Sequence, residues 1–207
     1  MSPEESTREM IITFVREKFL SEGLFKLSVG DIATELGISK KTFYKCFQSN
    51  EDLIHRVVDK VMGEIREGVL RILNSDLDFI AKLNEFMIFL GRQVGHFGRF
   101  AQLDLRKHAP DLFRRVQLFR RERIHEVVGQ LLEQGMREGL VRADINPRVF
   151  ILAYLSTVEG IVEPRVLSEE SFSTTEALRS ILAIFFHGIL KEEASARLEQ
   201  LQQKQRT

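Results

Sequence analysis

Between Leu36 and Asn50 the chain carries three lysines and no acidic residue. Lys40, Lys41 and Lys45 share this stretch with Thr42 and Tyr44. Ammonium groups suit phosphate oxygens and guanine edges. A threonine hydroxyl donates or accepts, its methyl meets the methyl of thymine, and a tyrosine hydroxyl bonds phosphate. Phe43 and Phe47 lie four residues apart, so on a short helix they turn to one side. Lys40, Lys41, Thr42, Tyr44 and Lys45 are then left on the outer side. The chemistry this implies is contact with double-stranded DNA. The whole chain has 30 basic and 30 acidic residues and a formal net charge of zero. That balance argues against broad polyanion binding and makes the lysines a local feature.

Other chemistries find less support. Asp104 and His108 stand at i, i+4 and could share a metal, but no third ligand has recognisable spacing, and zinc sites take three or four. There is no Gly-rich phosphate loop, no Gly-x-Ser-x-Gly elbow and no Cys–His pattern. His125 and Glu126 are neighbours in sequence and do not share a helix face. The expectation is a chain that is not an enzyme, with no cofactor and no metal. Cys46 is the single cysteine, which fits a reducing cytoplasm. The first ten residues lack the basic and apolar parts of a secretory signal, and no apolar run nears the length of a bilayer span. Arg114, Arg115, Arg120, Arg121 and Arg123 could suggest a membrane-surface helix. The interspersed Glu122, Glu126, Val116, Phe119, Val127 and Leu131 favour an amphipathic bundle helix. No membrane partner is expected.

The elements that hold the lysines follow from helical periodicity. The chain has 207 residues, 43% hydrophobic and 29% charged, with four prolines and no tryptophan. The pattern predicts an all-α protein. A first helix spans about 7–21, with Ile11, Phe14, Val15 and Phe19 on one stripe and Gly23 as its stop. Ser28 and Asp31 form a capping box, and Ile32, Ala33 and Leu36 give the inner face of a second helix. Gly37 permits a sharp turn, and Ser39 caps a third helix through Phe47. Ser49 and Asp52 open a long fourth helix over about 50–73. Further helices are expected over about 77–94, 97–107, 111–138, 147–162 and 174–190. Gly139 stops one of them, Asn146-Pro147 starts the next, Pro164 ends it, and Ser173 with Glu176 boxes the last. The polar tail from Lys191 is expected to fray.

Residues 29–54, VGDIATELGISKKTFYKCFQSNEDLI, resemble the TetR family of bacterial helix-turn-helix transcriptional regulators. The family pattern has an Asp-Ile-Ala helix, Gly-Val-Ser, a Leu/Phe-Tyr pair, an aromatic, and Ser-Lys-Glu-Glu-Leu. The match is specific over about residues 8–60. Farther on, Gly139 to Asp144 followed by Pro147 looks like the junction before the two C-terminal helices of many members. The resemblance implies a three-helix DNA-binding domain at 1–50 and a helical ligand-binding and dimerisation domain at 51–207. It implies DNA contacts from Lys40, Thr42, Tyr44 and Lys45, with Ser28 and Ser39 as phosphate or capping partners. Three positions depart from the family. Lys41 stands where glycine is frequent and adds a cation. Cys46 stands where histidine or an aromatic is common. Asn50 replaces a lysine that often touches phosphate.

One helix-turn-helix reads only a few base pairs, so a homodimer is expected. The nearly all-apolar segment 147–162 and the helix 174–190 are its expected interface, which in the family is a four-helix bundle. Gly160 would let helices approach closely. The same resemblance implies a small-molecule effector site among the phenylalanine-rich helices of 75–165. Its candidate contacts are Phe89, His96, Phe100, His108, Tyr154 and Glu159. Glu159, on a largely apolar helix, has the alternative of pairing with Arg92 or Arg99. The function expected is that of a ligand-responsive repressor of a palindromic operator. The competing reading is an interaction protein of the same fold that no longer reads DNA.

Overall fold

The computed structural model describes residues 2–22, 27–96, 99–161 and 163–204, without the side chains of 19–22, 93–96, 99–103, 164 and 168. Eleven helices follow one another among them: α1 (Pro3–Glu22), α2 (Val29–Glu35), α3 (Lys40–Cys46), α4 (Asn50–Leu73), α5 (Phe79–His96), α6 (Arg99–His108), α7 (Pro110–Arg137), α8 (Pro147–Ile161), α9 (Pro164–Glu169), α10 (Thr174–Ile189) and α11 (Glu192–Lys204). The fold is all-α. Among the described residues the one extended pairing is an isolated antiparallel bridge between Val141 and Leu190. There the Arg142 N–H donates to the Ile189 carbonyl and the Lys191 N–H to the Leu140 carbonyl, each at 2.9 Å. No described helix is long and apolar enough to cross a membrane.

Three helix ends differ from the sequence expectation, each for a local reason. α1 begins at Pro3, four residues before the expected Thr7. Ser2 is its cap: the Ser2 hydroxyl accepts from the Glu5 N–H at 3.1 Å, and Glu5 accepts from the Ser2 N–H at 2.6 Å. Pro164 starts α9 instead of only ending α8, with Glu163 as N-cap. A proline at the first helical position has no N–H bond to lose. The tail, expected to fray, forms α11. Ala194 and Leu198 are buried and Leu201 packs against the same core. Apolar residues at i, i+4 and i+7 make a stripe even where the average composition is polar. Arg197 on this helix pairs with Asp78 at 2.7 Å.

The chain divides into two compact units, Met1–Glu64 with His96–Val116, and Ile65–Gly95 with Gln117–Thr207. The first is built on Ile11, Val15, Ile32, Phe43, Leu53, Val57, Val58 and Leu105, all at most 2% exposed. Arg16 of α1 clamps Glu64 of α4, Nε at 2.9 Å and Nη2 at 2.6 Å from one carboxylate oxygen. The second unit has one continuous core that includes Phe79, Leu83, Val128, Tyr154, Ile181 and Phe186. Gly135 of α7 lies against that core. A Cβ there would sit 2.5 Å from Val141 Cγ2 and 2.6 Å from Phe79 Cζ. Gly135→Ala is expected to lower stability by about 1–3 kcal/mol through overpacking. Urea unfolding checks it, with Gly63→Ala as control, since a Cβ at Gly63 meets nothing within 4 Å.

Candidate nucleic-acid interface

α3 is seven residues long, too short to persist alone in water. Its inner face holds it in place. Phe43 is fully buried, Phe47 and Cys46 nearly so, and the two phenylalanine rings stand 5.4 Å apart. Arg8 of α1 lies over the Phe47 ring at 6.0 Å. Burial and the nearby Glu4 carboxylate push the Cys46 thiol up, so it stays protonated and serves as packing.

The turn between α2 and α3 is closed by the backbone. Gly37 has φ +64°, a left-handed conformation that a side chain would strain. The Ile38 N–H returns to the Ala33 carbonyl at 2.9 Å and the Gly37 N–H to Thr34 at 3.2 Å. This is the double C-cap that ends a helix at a left-handed residue. Both helices are also capped at their starts. The Ser28 Oγ accepts from the Asp31 N–H at 3.2 Å, while Asp31 accepts from the Ser28 N–H at 2.9 Å. Ser39 Oγ accepts from the Thr42 N–H at 3.0 Å and lies 2.8 Å from Thr42 Oγ1. Hydrogen bonds from the Ser28 hydroxyl and N–H hold the Asp31 carboxyl below its ordinary value of 3.8.

The outer arc of α3 carries Lys40, Lys41, Tyr44 and Lys45, all exposed, with Tyr44 at 56%. Thr42 is half-buried at one edge of the arc. Ser28 and Ser39 sit at the two caps with their hydroxyls exposed. The Lys40 stem lies against Gly30 of α2, where a Cβ would be 3.4 Å from Lys40 Cε. Asn50 does a job its sequence position did not advertise. Its Nδ2 donates to the Leu27 carbonyl at 3.3 Å, which hooks the start of α4 to the residue before Ser28. No local signal marks that bond, because it spans 23 residues.

The effector candidates do not gather at one place. His108 is exposed in the first unit and lines a cavity of about 300 Å3 with His55, Asn50 and Glu51. Phe89, Tyr154 and Glu159 belong to the second unit. The Phe89 ring packs directly over Gly68 of α4. Tyr154 is fully buried among Phe150, Phe185 and Phe186, its hydroxyl without a hydrogen-bond partner among the described residues, and burial holds that hydroxyl well above its ordinary pKa. Glu159 is exposed and takes the alternative of an arginine partner, Arg121 at 3.4 Å, while the Arg99 side chain lies outside the described residues. The side chains of His96 and Phe100 lie outside the described residues. Among the described residues no group of three His, Cys, Asp or Glu is placed to hold a metal ion.

The sequence model of bacterial regulatory proteins, tetR family, matches residues 15–57, which span the capped pair α2–α3 and the start of α4. The chain carries the TetR-family DNA-binding segment over these residues. It is a transcriptional regulator with a DNA-binding helix-turn-helix. Its similarity to YvaF, an HTH-type transcriptional regulator of Bacillus subtilis (strain 168), is 26% identity over 170 residues, 82% of this chain and 88% of that protein. The fold is shared with a transcriptional regulator from Cytophaga hutchinsonii at a TM-score of 0.70 and 20% identity, over 88% of this chain and 98% of the other. It is shared equally with a gamma-butyrolactone receptor, at a TM-score of 0.70 and 20% identity over the full length of both. In this chain the caps are expected to matter for folding as well as for DNA. Ser28→Ala should cost about 1 kcal/mol of stability. The Asp31 carboxylate, with its lowered folded pKa, supports the same box above pH 3.8, and that support fades as pH falls through the folded value. Urea titrations of the variant and parent across this range check both statements.

Proposed function

We propose that the chain is a ligand-responsive repressor that binds a palindromic operator as a homodimer in the cytoplasm. The observation that carries this reading is the outer arc of α3. Four exposed side chains of DNA-contacting type stand on a helix whose other side is locked into a core. Lys40, Lys41 and Lys45 take phosphates and guanine edges, Thr42 and Tyr44 add hydroxyls, and Ser28 and Ser39 stand at the margins. Residues 1–50 read DNA, and residues 51–207 bind the effector and the second copy.

The second copy seats on α8 and α10. Val149 and Leu152 of α8 are 62% and 55% exposed, and Ile184 of α10 is 71% exposed. Around them Ala153, Ser156, Gly160, Ser180 and Gly188 are small and exposed, which lets facing helices come close. Large apolar groups clustered at the surface are characteristic of a partner site. A dimer presents two copies of α3 about one DNA turn, roughly 34 Å, apart. An effector bound within 51–207 shifts α4 and favours a spacing that no longer fits the operator.

Two measurements test the reading. In mobility-shift titrations on DNA from upstream of the protein's own gene, Tyr44→Ala with Lys45→Ala should remove specific binding. The single change Lys45→Ala should lower the slope of log affinity against log salt by about 1. Unchanged affinity and slope, with the fold intact by circular dichroism, would place the DNA surface elsewhere. Leu152→Arg with Ile184→Arg should sediment as a monomer and bind operator about 100-fold more weakly, because the two half-sites are then engaged independently.

A further inference from the structure

A cavity of about 640 Å3 lies in the second unit between α5, α10 and α11. Its size is that of a small-molecule site. Met87 and Ile88 of α5 and Leu182 of α10 give it apolar walls. Asn84 also lines it, and Asn84 is only 3% exposed. Its Oδ1 is buried and accepts no hydrogen bond among the described residues. A buried acceptor left unpaired is costly, so folded proteins keep few of them without a reason. A guest that donates a hydrogen bond supplies one. Arg92, Arg179 and Glu85 line its exposed margin, and Glu176 lies one helical turn from Arg179. The lining itself carries one more cation than anion. α11 closes the third side through Gln202, whose Nε2 donates to Met87 Sδ at 3.7 Å.

The lining grades from buried to exposed: Asn84 and Leu182 are buried, Met87 and Ile88 half-buried, Arg92 and Arg179 exposed. We propose that this cavity is the effector site and that it takes a small hydroxylated carboxylic acid with an apolar body. The hydroxyl donates to Asn84 Oδ1, the chain lies on Met87, Ile88 and Leu182, and the carboxylate faces Arg92 and Arg179. Of the residues singled out from sequence as effector contacts, Phe89, His108, Tyr154 and Glu159 are not among its described lining. The inference rests on reading the chain as an effector-responsive regulator. Its test reads binding without DNA, so the two readings fail separately.

The test is isothermal titration of the full chain with straight-chain 3-hydroxyalkanoates of about six to twelve carbons, the matching alkanoates and the matching methyl esters, lengths that suit a cavity of this size. At least one hydroxy acid should bind, and its deoxy analogue and its ester should each bind about tenfold more weakly or worse, since the first leaves nothing to donate to Asn84 and the second brings no negative charge to the arginines. Asn84→Leu should erase the difference between hydroxy and deoxy acids. It removes an unpaired buried acceptor and keeps the volume, so the fold should hold or gain stability. Arg92→Ala with Arg179→Ala should erase the difference between acid and ester, and both residues are exposed. The proposal is overturned if no hydroxy acid binds the parent chain, or if both differences survive in these variants. Binding with the expected pattern but no change in operator affinity would confirm the cavity and sink the repressor-release reading instead.

Discussion

The helix-turn-helix depends on the burial of two rings. Phe43 and Phe47 hold a seven-residue helix against its neighbours, and no helix of that length stands without such an anchor. Once they are buried, the rotation of α3 is set, and so is which side chains face outward. The caps at Ser28 and Ser39 and the left-handed turn at Gly37 then fix where the helix starts and how sharply it leaves α2. The lysines lie outside these rings and caps, with their side chains exposed. Only Lys40 is partly committed, its stem lying along Gly30. Position and charge are thus supplied by different residues of one short segment.

The second unit works by another rule. Its core is aromatic: the rings of Phe150, Tyr154, Phe185 and Phe186 meet at 5.4–6.5 Å, mostly edge to face. Edge-to-face pairs add directional preference to simple burial. The cluster fixes α8 against α10, and so sets which residues of both helices remain outside. Val149, Leu152 and Ile184 are left there. The apolar outer surface is therefore a by-product of a filled interior, since most residues of α8 are apolar and a helix has only so much inner face.

Local chemistry was the part legible in the sequence. The capping boxes at Ser28–Asp31 and Ser173–Glu176, the turn at Gly37 and the inward pair Phe43–Phe47 act over three or four residues, and all stand in the structure as read. What escaped depends on distance along the chain. Glu159 meets Arg121 only because α7 and α8 run past each other in one particular register. The bond from Asn50 to Leu27 is of the same kind. α11 was hidden differently: three apolar residues in a polar tail become a stripe only when a core exists to receive them. The effector candidates show the limit most clearly. Phenylalanines at helical spacing look alike whether they fill a core or line a cavity, and Phe89 and Tyr154 are packed where a sequence could equally have made them walls.

The small bridge between Val141 and Leu190 has a consequence for how the molecule can move. Its two backbone bonds pin together the point where the chain enters α8 and the point where it leaves α10. Everything between, α8, α9 and α10, is a loop closed at its base. Holding the two ends of that loop together limits how far they can separate. An axial shift of α10 has to break these bonds or carry the segment leading into α8 with it.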